Sequence, residues 1–276
     1  MKKIATPDRR ELLKAALGEI KADLAVKNTR YLNLFTGEEY PATIFIHNGF
    51  VVHVEADDLK AGIDNVKEVI DADGAYIVPG LIDAHVHIES SMLTPRNFAA
   101  AVIPHGTTTV ITDPHEVGNV AGEEAVRYMH DAGLDLPMRQ WINIPSSVPA
   151  VPGLEEAGAV FDAGVVDRLA KLKNVIGLAE MMDYKGVEQG SERTISMIEA
   201  AERNDLYVQG HVPNEFGRAL SAYAVGGPTT DHETRTGEEA KSKLRTGMYL
   251  DARESSMAKN IDAIWDGIKD LPWRDR

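Results

Sequence analysis

Cysteine is absent from this 276-residue sequence, and basic residues are scarce. The first absence excludes disulfides, thiolate nucleophiles and cysteine-ligated zinc, so any metal site must use His, Asp or Glu side chains. The 29 Lys and Arg residues face 43 Asp and Glu residues, which gives a formal net charge of −14. Because nucleic-acid backbones need clustered positive charge, we expect no nucleic-acid partner, whereas a small neutral substrate is compatible with this charge.

Long apolar runs are absent as well. No stretch approaches the ~20 apolar residues that cross a bilayer, so we expect no membrane partner and a cytoplasmic location. The N-terminal segment lacks the continuous apolar core and the cleavage site of a signal peptide. It instead predicts an amphipathic helix, with Thr6 as its cap and Pro7 in the first helical position.

Short β-strands are predicted between this helix and residue 75. The segments TIFIHNGFVVHVEA and VKEVIDADGAYIVPG are rich in Val, Ile and aromatic residues. Asn48-Gly49 separates two apolar runs, and this pair is typical of a hairpin because both residues tolerate positive φ. We therefore assign residues 1–75 to an N-terminal helix and a small β-domain.

From residue 76 the pattern changes to alternating strands and helices, which is typical of an α/β fold with a parallel sheet. The predicted strands are 76–84, 107–112, 139–144, 174–180, 206–211, 228–232 and 247–250, and the predicted helices are 94–104, 120–132, 155–172, 192–203, 214–225, 236–245 and 256–268. This run favours a (β/α)8 barrel over an open sheet. The sequence ends at LPWRDR, where an eighth strand is expected, so we predict that residues 76–276 form an incomplete TIM-like barrel.

His85 and His87 lie at the end of the first predicted barrel strand. Alternate side chains of a strand share a face, so both imidazoles point the same way and can bind one metal ion. The alternative is two unrelated, half-buried histidines. Their position at the carboxyl end of a barrel strand, where the active sites of such barrels lie, favours the metal site.

Three later strands end in residues that can also bind metals, namely Glu180, His211 and His232. Each residue alone is more typical of a structural or surface position. Together they repeat one placement, because each stands where a strand meets the following loop. A carboxylate such as that of Glu180 can bridge two cations and fix their spacing.

The segments VPGLIDAHVHIESSMLTP, TDPHEVGNV, GLAEMM, QGHVP and TDHE together resemble the bacterial adenine deaminases of the amidohydrolase superfamily. PGLIDAHVH is common to the superfamily, whereas IESS, DPHEVGN and TDHE point to the adenine deaminases. The resemblance implies a binuclear centre, in which His85 and His87 bind one metal, Glu180 bridges, and His211 and His232 bind the second metal. The superfamily's amidohydrolase-type barrel is the implied fold.

The resemblance also implies a reaction. Water would attack C6 of adenine, ammonia would leave, and hypoxanthine would be the product of this step in purine salvage. Two divalent metal ions would be the cofactors, and manganese, iron or zinc all suit His and carboxylate ligands. Adenine would be the small-molecule substrate.

Further candidates lie close to the ligand positions. His115 and Glu116 follow the second predicted strand and are expected to contact the purine or relay protons, although a simple turn begun by Asp113-Pro114 is the alternative. Glu233 is another candidate acid or base. The residues just beyond the His85 and His87 pair are expected to line the substrate pocket: Glu89, Ser90 and Ser91.

One part of the family pattern has no counterpart. Members of the superfamily supply a catalytic Asp from the eighth strand, whereas Asp251, Asp262 and Asp266 fall in or after the seventh strand and do not match.

Two alternative functions compete with adenine deamination. One alternative is another amidohydrolase that acts on a cyclic amide or an N-acyl substrate; such enzymes commonly carry a bridging Lys at the position of Glu180. The other is a truncated, non-catalytic, metal-binding fragment, with a complementing C-terminal chain or a homo-oligomer as partner.

Overall fold

The computed structural model describes residues 8–57 and 64–272. The chain divides into two compact units, Lys2–Pro79 and Gly80–Arg276. The structure divides the chain after Pro79, whereas the sequence predicted a boundary after residue 75. The difference arises because Tyr76–Ile77 pairs with the first strand of the N-terminal unit instead of starting the barrel. Among the described residues, no helix is both long and apolar enough to cross a bilayer.

In residues 8–57 and 64–79, the N-terminal unit has one helix and a five-stranded sheet. Its elements are α1 (Arg9–Ala16), β1 (Ala22–Asn33), β2 (Glu38–His47), β3 (Phe50–Ala56), β4 (Val66–Asp71) and β5 (Tyr76–Ile77). The sheet order is β3-β2-β1-β4, with β5 beside β1. Asn48 and Gly49 join β2 and β3 with φ values of 48° and 77°, as the hairpin prediction requires. Thr6 and Pro7 lie outside the described residues, and Asp8 caps α1 by accepting a hydrogen bond from the Arg10 amide.

Between residues 80 and 272, the second unit has seven parallel strands. They are β6 (Leu81–Val86), β7 (Thr107–Thr112), β8 (Arg139–Ile144), β9 (Val175–Met181), β10 (Tyr207–Gly210), β11 (Thr230–Asp231) and β12 (Tyr249–Leu250). The helices between and after them are α2 (Pro95–Val102), α3 (His115–Asp131), α4 (Ala163–Leu169), α5 (Tyr184–Gln189), α6 (Glu192–Arg203), α7 (Gly217–Val225), α8 (Gly237–Thr246) and α9 (Ile261–Ile268).

The strands lie side by side in chain order. β6 to β10 form one sheet and β11 pairs with β12. The Thr229 amide donates to the Val208 carbonyl at 3.0 Å, which joins the start of β11 to β10. A doubly wound sheet reverses its strand order at a switch point, whereas a (β/α) barrel does not. The fold is therefore the predicted incomplete barrel, and the described residues hold seven of its strands.

The barrel core lies between the central strands and their covering helices. Buried apolar side chains from β8 to β10 pack against α4, α6 and α7, among them Ile142, Leu178, Val208, Val166, Met197 and Leu220. These contacts make the strands rigid. The side chains at the strand ends therefore project from a fixed frame, which is the condition for a well-ordered site.

Three of the predicted helices were wrong in extent. The helix predicted over 155–172 covers only α4, because residues 155–162 form a loop that the Phe161 amide ties to the Val148 carbonyl at 2.8 Å. The helix predicted over 256–268 begins at Ile261. α3 begins before the predicted residue 120 and is kinked at Gly122, whose φ of 67° is not helical. α5 was not predicted at all.

Candidate metal centre

The five predicted metal ligands lie together at the carboxyl rim of the barrel. His85 and His87 come from the end of β6, Glu180 from β9, His211 from the residue after β10, and His232 from the residue after β11. The Glu180 carboxylate links them, because Oε2 lies 2.6 Å from His211 Nδ1 and 2.8 Å from His232 Nε2, while Oε1 lies 3.5 Å from His87 Nε2. The chain order of parallel strands thus brings distant residues to one place.

The first half-site consists of His85 and His87. His85 Nδ1 lies 3.0 Å from the side-chain oxygen of Gln209, and His87 Nδ1 lies 2.8 Å from the backbone carbonyl of Asp113. Each ring therefore donates its Nδ1–H, which leaves a lone pair on each Nε2. These two Nε2 atoms are only 3.0 Å apart, so their lone pairs face each other. A cation bound by both nitrogens fits this arrangement, and the Nδ1 contacts are those that usually orient histidine ligands.

The second half-site consists of His211 and His232. His211 Nδ1 and His232 Nε2 lie 3.3 Å apart and both face Glu180 Oε2. Glu180 Oε2 thus faces both histidines of the second half-site, whereas Oε1 faces His87 of the first, which is the placement that a carboxylate bridging two cations requires.

The protonation states of this cluster also suit metal binding. Burial alone would raise the pKa of Glu180, but hydrogen bonds from His211 and His232 hold it well below the usual value. Burial, followed by the neighbouring His232, lowers the pKa of His85 well below 6.5. A carboxylate binds a metal in its ionised form, and an imidazole binds a metal in its neutral form. The two pKa shifts favour these protonation states.

His115 begins α3 and reaches the cluster. Its Nδ1 lies 2.8 Å from Asp113 Oδ2 and 3.2 Å from Glu180 Oε1. Burial alone would lower the pKa of His115, but the carboxylates of Asp113, Glu180 and Glu116 raise it to about 10. His115 therefore holds a proton beside the ligands near neutral pH.

Glu89 and Glu116 form a carboxyl pair beside the first half-site. Burial and the hydrogen bond to Glu116 raise the pKa of Glu89 to about 8. Burial also acts to raise the pKa of Glu116, but hydrogen bonds from Glu89 and Ser90 lower it below its usual value. Near neutral pH, Glu89 is therefore largely protonated and Glu116 ionised. Such opposed pKa shifts are typical of groups that divide acid and base roles.

Two of the predicted site residues have other contacts. The Ser91 hydroxyl donates to the Ile88 carbonyl at 2.6 Å, so this side chain is used within its own turn. Glu233 lies within reach of His211 and His232, but its carboxylate is ion-paired with Arg253 and lies 3.4 Å from Arg235. These ion pairs engage both oxygens of the Glu233 carboxylate.

Sequence reasoning missed two contacts of the site. Asp113 is fully buried and contacts both His87 and His115. It directly follows β7, so the rule that found the other strand-end residues would also have found it. Gln209 accepts a hydrogen bond from His85. Because it precedes His211 by two residues in a strand, its side chain lies on the same face as that of His211, and this alternation is the only sequence signal for it.

Comparison with known proteins identifies the family that the chain matches. Residues 76–269 match the model of the Amidohydrolase family. An adenine deaminase of Dehalococcoides mccartyi is 42% identical over 264 residues, which cover 96% of this chain and 45% of that protein. Adenine deaminase 3 of Rhizobium meliloti is 44% identical over 239 residues, which cover 86% and 40%, respectively. The chain thus spans less than half the length of these curated relatives.

Solved structures with a similar fold are more distant in sequence. A D-aminoacylase superposes with a TM-score of 0.57 at 15% identity, over 84% of this chain and 58% of that one. The atrazine chlorohydrolase TrzN from Arthrobacter aurescens TC1, in complex with zinc, gives a TM-score of 0.56 at 15% identity, over 82% and 64%. At this identity the likeness supports the barrel fold alone.

Proposed function

Because this chain belongs to the amidohydrolase family, we propose that it hydrolyses adenine at C6 and releases hypoxanthine and ammonia. The identity of more than 40% with two adenine deaminases supports the substrate. The observation that carries the reaction type is the Glu180 carboxylate, whose Oε2 faces His211 and His232 and whose Oε1 faces His87. A carboxylate stands here on the fourth barrel strand, where a lysine would favour the cyclic-amide hydrolases.

We propose two divalent ions as cofactors, with manganese or iron as the first choice and zinc as the other metal that the ligands suit. His85 and His87 would bind the first ion, His211 and His232 the second, and Glu180 both. Bound cations would lower the pKa of a coordinated water enough for attack on C6 near neutral pH.

The proposed proton transfers use the residues beside the ligands. Addition of water to C6 requires one group that takes a proton and others that supply protons to the ring and to the departing ammonia. Glu116, ionised near neutral pH, is the acceptor, whereas protonated Glu89 donates to the neighbouring ring nitrogen. His115 holds a further proton on Nδ1. Ser90 orients Glu116 through its hydroxyl.

We also propose that the free edge of β6 is covered by a further strand, from a second copy or from a complementing chain. Among the described residues β6 pairs only with β7, and the side chains of Leu81 and Ile82 are 58% and 65% exposed. Exposed apolar strand edges are typical sites of pairing with another chain. Salvage of a free base is compatible with the cytoplasmic location expected from the sequence.

The test is conversion of adenine to hypoxanthine by the purified chain loaded with Mn(II) or Fe(II), followed by chromatography. We expect turnover in the wild type and none in His87→Ala. His105→Ala is the matched control, because His105 is an exposed histidine distant in sequence from every proposed ligand, and it should retain wild-type turnover.

Each other outcome contradicts a defined part of the proposal. Bound metal without turnover, restored by adding the remainder of a longer relative, would identify a fragment that needs a partner chain. Hydrolysis of a dihydropyrimidine or an N-acyl amino acid in place of adenine would overturn the substrate but not the reaction type. Equal turnover in wild type and His87→Ala would overturn the metal centre.

A further inference from the structure

A fully buried lysine lies next to the second half-site. Lys243 of α8 is 0% exposed, and its ammonium lies 2.8 Å from Asp231 Oδ2, 3.1 Å from Thr234 Oγ1 and 3.8 Å from Glu239 Oε1. The three partners are buried as well. A lysine is almost never fully buried unless it is paired, since removing its charge from water is costly. Packing alone therefore does not explain a lysine at this buried position.

Asp231 shows what the ammonium holds in place. Besides Lys243, three donors converge on its carboxylate: the Val212 amide at 2.8 Å, the Glu233 amide at 3.1 Å and the Thr234 hydroxyl at 2.7 Å. Val212 follows the ligand His211, while Asp231 and Glu233 flank the ligand His232. One carboxylate therefore fixes the backbone beside both histidines.

Glu239 holds the far ends of the same two loops. Its Oε1 accepts from the Asn214 amide at 2.7 Å, and its Oε2 accepts from the Arg235 and Thr236 amides at 3.0 and 3.1 Å. The loop after β10 and the loop after β11 are thus each bound to two carboxylates. Lys243 lies between these carboxylates and offsets their charge.

We propose that Lys243 is a positioning residue for the second metal: through Asp231 and Glu239 it fixes the two loops that carry His211 and His232. The inference rests on the proposed binuclear centre and adds a residue outside it. A metal ligand must be held within narrow limits of distance and orientation, so loss of the supporting contacts weakens metal binding even when the ligand remains.

A purely stabilising role is the competing explanation, and the double variant Asp231→Asn/Lys243→Met separates the two. It removes the charges of the closest pair and keeps the volumes. The remaining buried carboxylate, that of Glu239, keeps its hydrogen bonds from three backbone amides, so the fold should persist. An asparagine offers one acceptor oxygen where the carboxylate offers two, and its NH2 group would face backbone and hydroxyl donors. The loops should therefore shift while the unfolding midpoint stays near that of the wild type.

The experiment is titration of the metal-free full chain with Mn(II), with binding measured per chain and the spin state followed by electron paramagnetic resonance. We expect the wild type to bind two ions with the spectrum of an exchange-coupled pair. The double variant should bind the first ion normally and the second at least about tenfold more weakly, with the spectrum of isolated Mn(II). Thr234→Val, which changes no charge, should weaken the second ion in the same direction.

Arg245→Met is the matched control, since it removes an exposed positive charge from the same helix and should bind both ions as the wild type does. Wild-type binding of the second ion in both the double variant and Thr234→Val overturns the inference. Equal weakening of both ions also overturns it, because that result indicates general destabilisation. A wild type that binds fewer than two ions overturns the binuclear centre itself, and this failure is visible before any substitution is made.

Discussion

The two halves of the candidate metal centre are held by different means. In the first half-site, each imidazole is fixed at the ring, because its Nδ1–H donates to Gln209 or to the Asp113 carbonyl. In the second half-site, His232 Nδ1 is buried without a hydrogen-bond partner in the described part of the chain. There the backbone on either side of the ligands is held instead, by carboxylates that depend on Lys243.

This difference shows that a ligand can be oriented locally or from a distance. An imidazole ring that is held by one neutral hydrogen bond depends on little beyond the residue that accepts this bond. A loop held by buried carboxylates needs their counter-ion, which comes from a helix later in the chain. The second half-site should therefore be the more sensitive to substitutions remote from the metal.

The largest effect should come from the one residue that both halves share. Glu180→Gln removes the negative charge that faces ligands of both half-sites, so we expect loss of both metals. We also expect a fall in turnover of more than about 100-fold, since loss of an outer contact alone costs 10- to 100-fold. Metal analysis together with the adenine assay measures this. Retention of one tightly bound metal would show that the halves are independent.

The next effect concerns stability. Lys243→Met leaves Asp231 buried without its counter-ion, and breaking a buried pair by removing one partner costs about 3–5 kcal/mol. Urea unfolding of the metal-free chain measures this loss. Arg203→Met breaks the exposed pair with Asp167 and should leave the unfolding midpoint close to that of the wild type, because solvent screens an exposed ion pair. Similar losses in the two variants would contradict the role of burial.

A smaller effect should be confined to the first half-site. Gln209→Leu removes the acceptor for His85 Nδ1–H, so the ring loses its fixed tautomer. We expect the first metal to bind about 10- to 100-fold more weakly. The second metal should be unaffected, which is the reverse of the result expected for Asp231→Asn/Lys243→Met. Titration with Mn(II) compares the two variants directly, and identical patterns would remove the distinction between the halves.

The fourth effect is a dependence of stability on pH. The pKa of His115 is raised from 6.5 to about 10 in the folded chain, because nearby carboxylates outweigh its burial. Its contribution to stability is therefore complete below pH 6.5 and is lost as pH rises toward about 10. Wild type and His115→Gln, both metal-free, should differ most at low pH and converge at high pH. A constant difference across this range would contradict the assignment.

The clustering of the five proposed ligands could be predicted because these residues obey a rule of sequence. His85, His87, Glu180, His211 and His232 all stand where a predicted strand ends, and parallel strands end at one rim. The strand predictions themselves succeeded because central strands are short apolar runs between polar loops. No partner from outside the segment is needed to recognise this pattern.

The supporting residues could not be predicted in this way. Lys243 lies in the segment GEEAKSKLRT, whose polar character is typical of an exposed helix face, and its burial depends on Asp231 and Glu239. The helix predicted over 155–172 failed for a similar reason. Arg193 donates to the carbonyls of Ser146, Val148 and Pro149, and so orders the preceding loop from a distance. Contacts between distant segments leave no periodic signal.

The order of the barrel strands also bears on how the site forms during synthesis. Each strand pairs with the one just before it in the chain, so every pairing closes a short loop and can form as the polypeptide lengthens. The strands that carry the first half-site precede α8 in the chain. The second half-site is complete only when Lys243 packs back against Asp231. The two proposed metal sites would therefore form in the direction of translation, with the second site last.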